Sequence, residues 1–578
     1  MSAPAGSFPQ EVVLLTVVVQ KNHYQDSVAL MVLSRALSDL PGVDRASAMM
    51  GTPANKGILT DTGFEAPELA AATPADLVIG IVAEDAEVCR DAVSRADELL
   101  AAQASAASGS SMRRAHSLVR ARTALPDANL ALVSVPGAYA AAEARHLLDA
   151  GLNVMLFSDN VTLADEVDLK TRAGEAGLLV MGPDCGTSAF NGVPLAFANL
   201  CTAGSVGVVG ASGTGTQEVM TQVDRLGAGI SHAIGLGGRD LSDQVGGRTA
   251  TQALAALDAD PATDVIVLVS KPPAPAVRAR IDTLAQGLSK PVVTMFVDGP
   301  RDAGRHGNVT ATTTLAEAAA RAVELVGVSS FTPSPGGDGA PAAGLIGLYT
   351  GGTLADEAAV IIRDALDLDV PLGAGDPGVV LSAGPHRIID LGDDVFTQGR
   401  PHPMIDPALR AEKIVTTLAD PATAVLLLDV VLGHGSAADP AGAIAGPIRE
   451  GLEKARAEGR QVRVVASVCG TARDEQGLTE QVAALTEAGA RVLPSNAAAA
   501  RHAAALAARI GQPAPASPSP APAGIAGLLA GPKVINVGLA GFAEELAGLH
   551  VPVVQWSWAP PAGGDARLAR IVERLLAR

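Results

Sequence analysis

The feature that most constrains the fold is a strand, a glycine- and threonine-rich turn and a helix that occur twice in the same order. The first turn consists of Ser212, Gly213, Thr214, Gly215 and Thr216, and the second of Thr350, Gly351, Gly352 and Thr353. A glycine loop and a helix ending in Asp-Pro-Ala-Thr, before an apolar strand, follow each turn. This shared order predicts two duplicated α/β blocks of flavodoxin-like type.

The two turns, called here the first nest (212–216) and the second nest (350–353), have the composition of anion sites. Each lies between a predicted strand and a predicted helix, where unpaired amide N–H groups point the same way and the helix dipole favours negative charge. An ordinary Ser/Thr helix cap without a ligand is the simpler alternative. Because the pattern recurs in the duplicate block, we predict phosphate-type binding at both nests.

At 578 residues the chain is too long for one hydrophobic core. Alternating strand and helix patterns predict a multidomain α/β protein. We divide it into a small α+β domain (1–103), a Rossmann-like domain of CoA-binding type (124–203), the two blocks (204–330 and 344–511) and a tail (525–578). The tail is predicted to dock a partner through its strand 553–558, and the simpler alternative is that this strand completes a small sheet of its own. Residues 103–123 and 512–524 are rich in Ala, Ser, Gly or Pro and are predicted as linkers.

Composition excludes several classes of function. A net charge of −19 and only 14 aromatic residues argue against nucleic-acid binding. The apolar run 12–19 is too short to span a membrane and lacks the basic flank of a signal peptide, so we expect a cytoplasmic protein. The four cysteines lie far apart without a Cys-x-x-Cys pair, so no metal site is predicted.

A second polar group follows the glycine loops. Gly237, Gly238, Arg239 and Arg248 lie where an α/β sheet gathers its ligands, and a guanidinium there can hold a carboxylate or phosphate. The alternative for Arg239 is a salt bridge with Asp240 or Asp243. Arg400 and His402 take the corresponding place in the second block (344–511). A structural loop between prolines is the alternative for these two residues.

These motifs resemble a known family. Three motifs resemble the succinyl-CoA synthetase α subunit: Gly182-Pro-Asp-Cys-Gly186, the segment 207–218 and Ile234-Gly-Leu-Gly-Gly238. The second block (344–511) resembles the carboxyl-terminal domain of the β subunit. With Met49-Met-Gly-Thr-Pro-Ala-Asn-Lys56 and Gly399-Arg-Pro-His-Pro-Met404 added, nearly the whole chain is similar to the FdrA family. Members of that family are described as acyl-CoA synthetase-like, and some form part of an oxamate carbamoyltransferase of allantoin catabolism.

The resemblance implies roles for both nests and for two histidines. In the synthetase, two helices point their N-termini at a phosphohistidine, which assigns the nests to those roles within one chain. His306 and His434 are the candidates for that histidine, but the flanking pattern of His306 is poor. The glycine-rich CoA loop is missing at 135–139, and Ser270-Lys-Pro-Pro273 stands where the synthetase has a glutamate.

Three functions follow as expectations. The first is a subunit of a carbamoyltransferase complex that interconverts oxalurate plus phosphate with oxamate plus carbamoyl phosphate, with small anionic substrates, Arg239 near the reacting groups and no firm cofactor. The second is an acid–CoA ligase subunit that uses CoA and an ATP-grasp partner, with His306 or His434 phosphorylated. The third is a non-catalytic scaffold.

Overall fold

The computed structural model describes residues 14–23, 25, 27–38, 40–109, 113–299, 304–328, 344–397, 402–507, 532–556 and 558. Four sheets organise these residues. Their architecture confirms the expected multidomain α/β fold.

The first sheet is antiparallel and has three strands. Its strand order is β1-β3-β2, and its apolar face packs on α1 and α4 through Leu33, Leu37, Ile79 and Ala92. The elements are β1 (Leu14–Gln20), α1 (Ser27–Ser38), β2 (Val43–Met50), α2 (Pro53–Asp61), α3 (Pro67–Ala71), β3 (Leu77–Ala83) and α4 (Ala86–Gly109).

The second sheet is fully parallel and combines two distant parts of the chain. Its strand order is β4-β23-β22-β5-β6-β7. The amino-terminal part contributes β4 (Arg113–Ala115), α5 (Leu118–Ala124), β5 (Leu130–Val133), α6 (Gly137–Asp149), β6 (Asn153–Leu156), α7 (Leu163–Ala176) and β7 (Val180–Met181). The carboxyl-terminal part contributes β22 (Val534–Val537), α18 (Ala540–Gly548) and β23 (Val553–Trp556).

This sheet corrects two expectations. The segment 103–123, predicted as a linker, contains the end of α4, all of β4 and most of α5. The tail, predicted to dock a partner, pairs within its own chain: Leu132 aligns with Asn536, and Trp556 aligns with Ala115. Sequence periodicity could not show this pairing because the partners are about 400 residues apart.

The third sheet contains the first block. Its strand order is β14-β15-β13-β12-β10-β11-β8-β9. The elements are β8 (Thr187–Phe190), β9 (Val193–Ala196), β10 (Ala203–Gly210), α8 (Gly213–Arg225), β11 (Ile230–Gly235), α9 (Arg248–Ala259), β12 (Val265–Ser270), α10 (Pro275–Gly287), β13 (Val292–Phe296), β14 (Arg305–His306), β15 (Val309–Thr312) and α11 (Leu315–Leu325).

The fourth sheet contains the second block. Its strand order is β17-β18-β16-β19-β20-β21. The elements are β16 (Gly344–Tyr349), α12 (Gly352–Ala365), β17 (Val379–Ala383), β18 (His386–Asp390), α13 (Asp394–Thr397), α14 (Ala408–Ala419), β19 (Thr423–Val431), α15 (Gly442–Ala457), β20 (Arg463–Cys469), α16 (Leu478–Glu487), β21 (Ala490–Leu493) and α17 (Asn496–Ala507).

The two blocks have the same topology. The parallel order β11-β10-β12-β13-β15 in the first block matches β18-β16-β19-β20-β21 in the second. In both blocks, the strand before the nest is the second strand of this parallel order and the first of the five in the chain. This is the 2-1-3-4-5 order of flavodoxin-like folds. The predicted duplication is therefore present in the fold.

The two blocks also share one hydrophobic core. A single cluster of buried side chains runs from Val208 and Val219 in the first block to Ala355 and Ala503 in the second. Asn496 crosses this seam: its Nδ2 donates to Glu357 Oε2 at 2.8 Å, and its backbone N donates to Glu218 Oε1 at 3.1 Å. The relative position of α8 and α12 is thus set by buried contacts.

We expect a chain shortened to residues 1–511 to lose the folded Rossmann-like sheet. Without β22 and β23, β4 and β5 each lose a neighbouring strand, and the core loses Ile535, Val537 and Val554. Limited proteolysis with mass spectrometry should then show cleavage within 113–181, while 344–507 stays protected. A matched chain that begins at residue 111 should keep 113–181 protected. Equal protection of that region in both shortened chains would contradict the role of these strands.

Candidate functional site

The first nest has the geometry of a capped helix N-terminus. Ser212 lies in extended backbone (φ −158°, ψ 129°), and its Oγ accepts a hydrogen bond from Gly215 N at 3.0 Å. The hydroxyl of Thr216 is buried and donates to Ser212 O at 2.5 Å, so it does not serve as a ligand donor as the sequence led us to expect. A side chain at Gly210 would place Cβ 1.8 Å from Thr216 Oγ1, which explains the glycine before this turn.

The second nest already holds a carboxylate from its own chain. The two oxygens of buried Asp429 accept hydrogen bonds from the backbone N of Thr350 and of Gly351, both at 2.9 Å, and from Thr350 Oγ1 at 3.0 Å. Arg410 completes the arrangement, with Nη2 3.0 Å from Asp429 Oδ1. The amides of Thr350 and Gly351, predicted to bind substrate, are therefore occupied by Asp429.

The two nests touch. Ser212 Oγ donates to Thr353 Oγ1 at 2.6 Å, and a Cβ on Gly215 would lie 3.0 Å from Thr353 Cγ2. A Cβ on Gly351 would lie 2.8 Å from Thr214 Oγ1 and 2.9 Å from Thr214 Cβ. Glycine at both positions thus allows the N-termini of α8 and α12 to approach to direct contact.

Four further backbone N–H groups lie at the first positions of the two helices. Gly213 and Thr214 occupy the first two positions of α8, and Gly352 and Thr353 occupy those of α12. N–H groups at these positions have no acceptor inside their own helix. Two helix dipoles that meet end to end add positive potential at the same point, so the junction favours a bound anion.

One cation and several carboxyl groups surround the junction. Lys271, at the end of β12, places its Nζ 2.8 Å from Asp356 Oδ2 in the first turns of α12. Burial works against the charge of Lys271, but Asp356, with Asp390 and Asp393, raises its pKa. A lysine therefore stands in the place where the resemblance led to a glutamate.

Asp390, at the end of β18, lies against the first residue of α12. A Cβ on Gly352 would be 2.6 Å from Asp390 Oδ2, while Asp390 Oδ1 accepts a hydrogen bond from Gly392 N at 2.9 Å. Burial raises the pKa of Asp390 to about 7, and the charges of Asp356 and Asp429 act in the same direction.

His402 lies beside the loop that follows Asp390. A Cβ on Gly392 would be 2.6 Å from His402 Nε2 and 2.8 Å from Thr350 O. His402 Nδ1 accepts a hydrogen bond from Met404 N at 3.2 Å, and burial lowers the pKa of His402 to about 4. The imidazole is thus neutral near pH 7. Arg400, the other candidate site residue predicted in the loop of His402, lies outside the described residues.

The guanidinium of Arg239 is engaged by residues of the Rossmann-like domain. Its Nε donates to buried Glu166 Oε2 at 2.9 Å and its Nη2 to Val161 O at 2.9 Å. The salt bridge expected as its alternative role exists, but the partner is Glu166 rather than Asp240 or Asp243. Arg239 thereby joins the first block to the Rossmann-like domain.

Asp240 has a separate structural role. Its two oxygens accept hydrogen bonds from Thr249 N at 3.1 Å and Ala250 N at 2.9 Å, and buried Lys170 donates to Oδ1 at 2.8 Å. The N-terminus of α9 is therefore capped by a carboxylate of the chain. Arg248, at the start of that helix, donates to Val245 O and lines a surface cleft of about 700 Å³ that also includes Arg280 but no residue of either nest.

Gly237 and Gly238 pack the glycine loop against the Rossmann-like domain. Gly237 has φ +78°, and a Cβ there would lie 2.3 Å from Pro183 O. A Cβ on Gly238 would be 3.9 Å from Asp184 Oδ2. Gly237 thus allows a close approach between domains, whereas the space at Gly238 would accept a Cβ.

One predicted phosphohistidine lies in the third sheet, and the other follows a strand of the fourth. His306 is exposed on β14, at the edge of the third sheet and four strands from β10. His434 follows β19 and is held by its backbone N, which donates to Ala198 O at 3.0 Å. Within the described ranges, no hydrogen bond or ion pair joins either histidine to a nest residue, and His434 Nε2 is buried without a partner.

The residues missed in the sequence are Asp429 and Lys271. Asp429 interrupts the apolar run of β19. A charged residue between leucines and valines of a buried strand is unusual and must be paired. That position was the available signal. Lys271 was noted only as a departure from the synthetase pattern, because its pairing with Asp356 depends on contact between the two blocks.

The described residues contain no group of three or more His, Cys, Asp or Glu that could hold a metal ion. No helix in the described ranges is long and apolar enough to cross a membrane.

Family models match three parts of the chain. Residues 13–116 match the AllF heavy metal-associated domain, residues 202–297 match the CoA binding domain, and residues 348–506 match CoA-ligase. The heavy-metal function does not fit the first part. Its single cysteine, Cys89, is buried with Sγ 3.6 Å from Leu14 O, so a pair of thiolates is absent there.

Two curated proteins illustrate the relationship. The chain is 40% identical over 490 residues to the uncharacterised protein YahF of Escherichia coli K12, covering 82% of this chain and 95% of YahF. It is 29% identical over 178 residues to succinate–CoA ligase [ADP-forming] subunit alpha 2 of Archaeoglobus fulgidus, covering 29% of this chain and 58% of that subunit.

Among solved structures, the dinucleotide-forming acetyl-coenzyme A synthetase 1 of Ca. Korarchaeum cryptofilum matches with a TM-score of 0.29 and 18% identity, over 65% of this chain and 82% of that one. The sequence matches define a multidomain protein built from domains related to those of acid–CoA ligases. Given the extent of the match to YahF, the chain belongs to the FdrA family.

We expect Gly351→Ala to force the two nests apart. The added Cβ would overlap Thr214, and overpacking of this kind costs about 1–3 kcal/mol. Chemical denaturation of Gly351→Ala, Thr214→Gly and the double variant measures the coupling. Because Thr214→Gly removes the atoms in conflict, it should recover most of the loss in the double variant. Additive effects of the two substitutions would contradict the direct contact.

Proposed function

We propose that this chain is the anion-binding subunit of an oxamate carbamoyltransferase complex, which interconverts oxalurate plus phosphate with oxamate plus carbamoyl phosphate. The observation that carries the proposal is the contact between the N-termini of α8 and α12 at Ser212 and Thr353. Both substrates of the reaction are small anions, and the junction offers amides for more than one anionic group. The match to the AllF domain supports the same activity.

The proposed arrangement assigns one anion to each helix. Phosphate, or the phosphoryl group of carbamoyl phosphate, lies on the amides of Gly213 and Thr214. The oxamate carboxylate lies near Gly352 and Thr353, where Lys271 supplies a cation. Arg239, considered for this role from the sequence, is engaged by Glu166. Lys271 therefore replaces it in the proposal.

The donors act on the charge that develops during transfer. When a phosphate oxygen attacks the ureido carbonyl carbon, negative charge builds on the carbonyl oxygen and on the leaving nitrogen. Amides fixed at a helix N-terminus stabilise such charge without having to reorganise. Holding both anions at one junction also converts the encounter of two substrates into a step within a single complex.

The proposed transfer does not require CoA. In the Rossmann-like domain, a Cβ on Gly137 would lie 2.1 Å from Asp159 O, so a neighbouring loop of the chain packs directly against the turn after β5.

The proposal is tested with the complex assembled from this chain and its partner subunits. Incubation with oxalurate and phosphate should yield oxamate and carbamoyl phosphate in equal amounts, and no product should form without phosphate. Liquid chromatography with mass spectrometry measures both products. Absence of phosphate-dependent cleavage in the intact complex would overturn the proposal.

Gly213→Pro removes one proposed donor and little else. Proline is well tolerated at the first position of a helix, and Ser212 already has the extended backbone that proline requires before it. Loss of one donor to developing charge typically lowers kcat by about 10²–10³. Gly213→Ala is the matched control, because it adds a Cβ but keeps the N–H. Equal rates for the two variants would exclude the Gly213 amide from the reaction.

An acid–CoA ligase subunit is the second candidate, favoured by the matches to CoA-ligase and to succinate–CoA ligase. In that case an ATP-grasp partner supplies a phosphoryl group that His306 or His434 carries, and CoA thioester is formed. Labelled phosphate from ATP should then appear on histidine and be lost in His306→Asn or His434→Asn. The position of His306, at the edge of the third sheet and four strands from β10, argues against phosphoryl transfer through that histidine.

A further inference from the structure

Transfer between phosphate and oxalurate requires a proton at the leaving nitrogen. Breaking the bond between the ureido carbon and nitrogen leaves the electron pair on an amide nitrogen, which is a poor leaving group unless it is protonated. The attacking phosphate loses its hydroxyl proton as its oxygen forms the new bond to carbon. A group that can give a proton to nitrogen and take one from phosphate is therefore needed at the junction.

Three carboxyl groups lie close to the N-terminus of α12, and two of them are committed to other contacts. Asp429 is held by two amides, the Thr350 hydroxyl and Arg410. Asp356 is paired with Lys271 at 2.8 Å. In the described part of the chain, Asp390 has no cationic partner within salt-bridge distance. It is the carboxyl group at this junction that is available to exchange a proton.

The geometry of Asp390 fits this task. Gly392 N fixes one oxygen, Oδ1, at 2.9 Å, and the other, Oδ2, lies beside the first residue of α12, next to the amides proposed to hold a substrate. Asp390 is partly exposed. The glycine at 352 is required there, because any Cβ would lie 2.6 Å from Oδ2 and cover it.

We propose that Asp390 is the catalytic acid–base of this site, an assignment that rests on the proposed carbamoyltransferase function. As the carbon–nitrogen bond breaks, the Asp390 carboxyl gives its proton to the nitrogen that leaves as oxamate. The resulting carboxylate takes the proton from the hydroxyl of the attacking phosphate. One proton thus moves from phosphate to oxamate through Asp390, and no external acid or base is consumed. In the reverse direction Asp390 removes a proton from the oxamate amide.

The surroundings of Asp390 support both protonation states near neutrality. The pKa of Asp390 is raised to about 7, mainly by burial; Asp356 of α12 and Asp429 of β19 act in the same direction, whereas the hydrogen bond from Gly392 N and the charge of Lys271 act in the opposite direction. His402 lies on the other side of Gly392, and its own pKa is lowered to about 4 by burial, so it is neutral and adds no charge. The charged group that favours the carboxylate is therefore Lys271.

The test uses the assembled complex and compares Asp390→Asn with the matched control Asp376→Asn, an exposed aspartate of the same block. Asparagine keeps an oxygen for Gly392 N but cannot exchange a proton. We expect kcat in both directions to fall by about 10²–10⁴ and KM for phosphate to stay nearly unchanged. The control should retain wild-type rates, and thermal unfolding of the variants verifies that they fold.

The pH profile separates a proton-transfer role from a structural one. Because the forward reaction uses protonated Asp390, its rate should fall as pH rises above about 7. The reverse reaction uses the carboxylate, so its rate should fall as pH drops below about 7. Asp390→Asn should remove the inflection of the reverse reaction, and Asp390→Glu, which keeps a carboxyl group, should retain it at a reduced rate. If Asp390→Asn disturbs the fold, the pH profile of Asp390→Glu still tests the assignment.

The outcomes distinguish the two proposals. An active wild-type complex whose Asp390→Asn variant keeps its rate, or keeps the inflection of the reverse reaction at a lower rate, overturns the assignment of Asp390 alone. A wild-type complex without phosphate-dependent activity overturns the proposed function and the assignment with it. Loss of rate and inflection in Asp390→Asn, with both retained in Asp376→Asn, supports both.

Discussion

The structure depends on bringing two helix N-termini into contact, which is electrostatically unfavourable in the absence of negative charge. Each helix end carries roughly half a positive charge, and the ends of α8 and α12 meet at Ser212 and Thr353. Buried Asp429 binds the amides of one nest, Asp390 lies against the first residue of α12, and Asp356 lies in the first turns of that helix. These acidic residues compensate part of the positive potential at the junction.

Duplication explains why two helix N-termini meet, and divergence between the copies explains why the two blocks place different charges at the junction. The strands β12 and β19 are equivalent in topology, yet β12 ends in Ser270 and is followed by Lys271, whereas β19 carries Asp429. The first block therefore contributes a cation to the junction and the second contributes carboxylates. A site made of two identical copies would have had like charges on both sides.

Much of the fold could be predicted from the sequence, because nests, glycine loops and Asp-Pro-Ala-Thr turns are local signals. The duplicated blocks and both helix N-termini followed from them. The use of individual side chains did not: Arg239 pairs with Glu166 of α7, and Lys271 with Asp356 of the other block. Those contacts depend on how domains pack, which periodicity does not encode. Asp429 and the second nest lie in the same block, but the pairing of β16 with β19 that brings them together is likewise not encoded in periodicity.

The insertion of β22 between β5 and β23 has a consequence for how the protein is made. Strand β5 leaves the ribosome about 400 residues before β22, its neighbour on one side. The Rossmann-like sheet therefore closes only after both flavodoxin-like blocks have been synthesised, whereas each block can form its own sheet as it emerges. Because pairing at such long range is slow, the unpaired edge of β5 has to be kept from other strands during this interval.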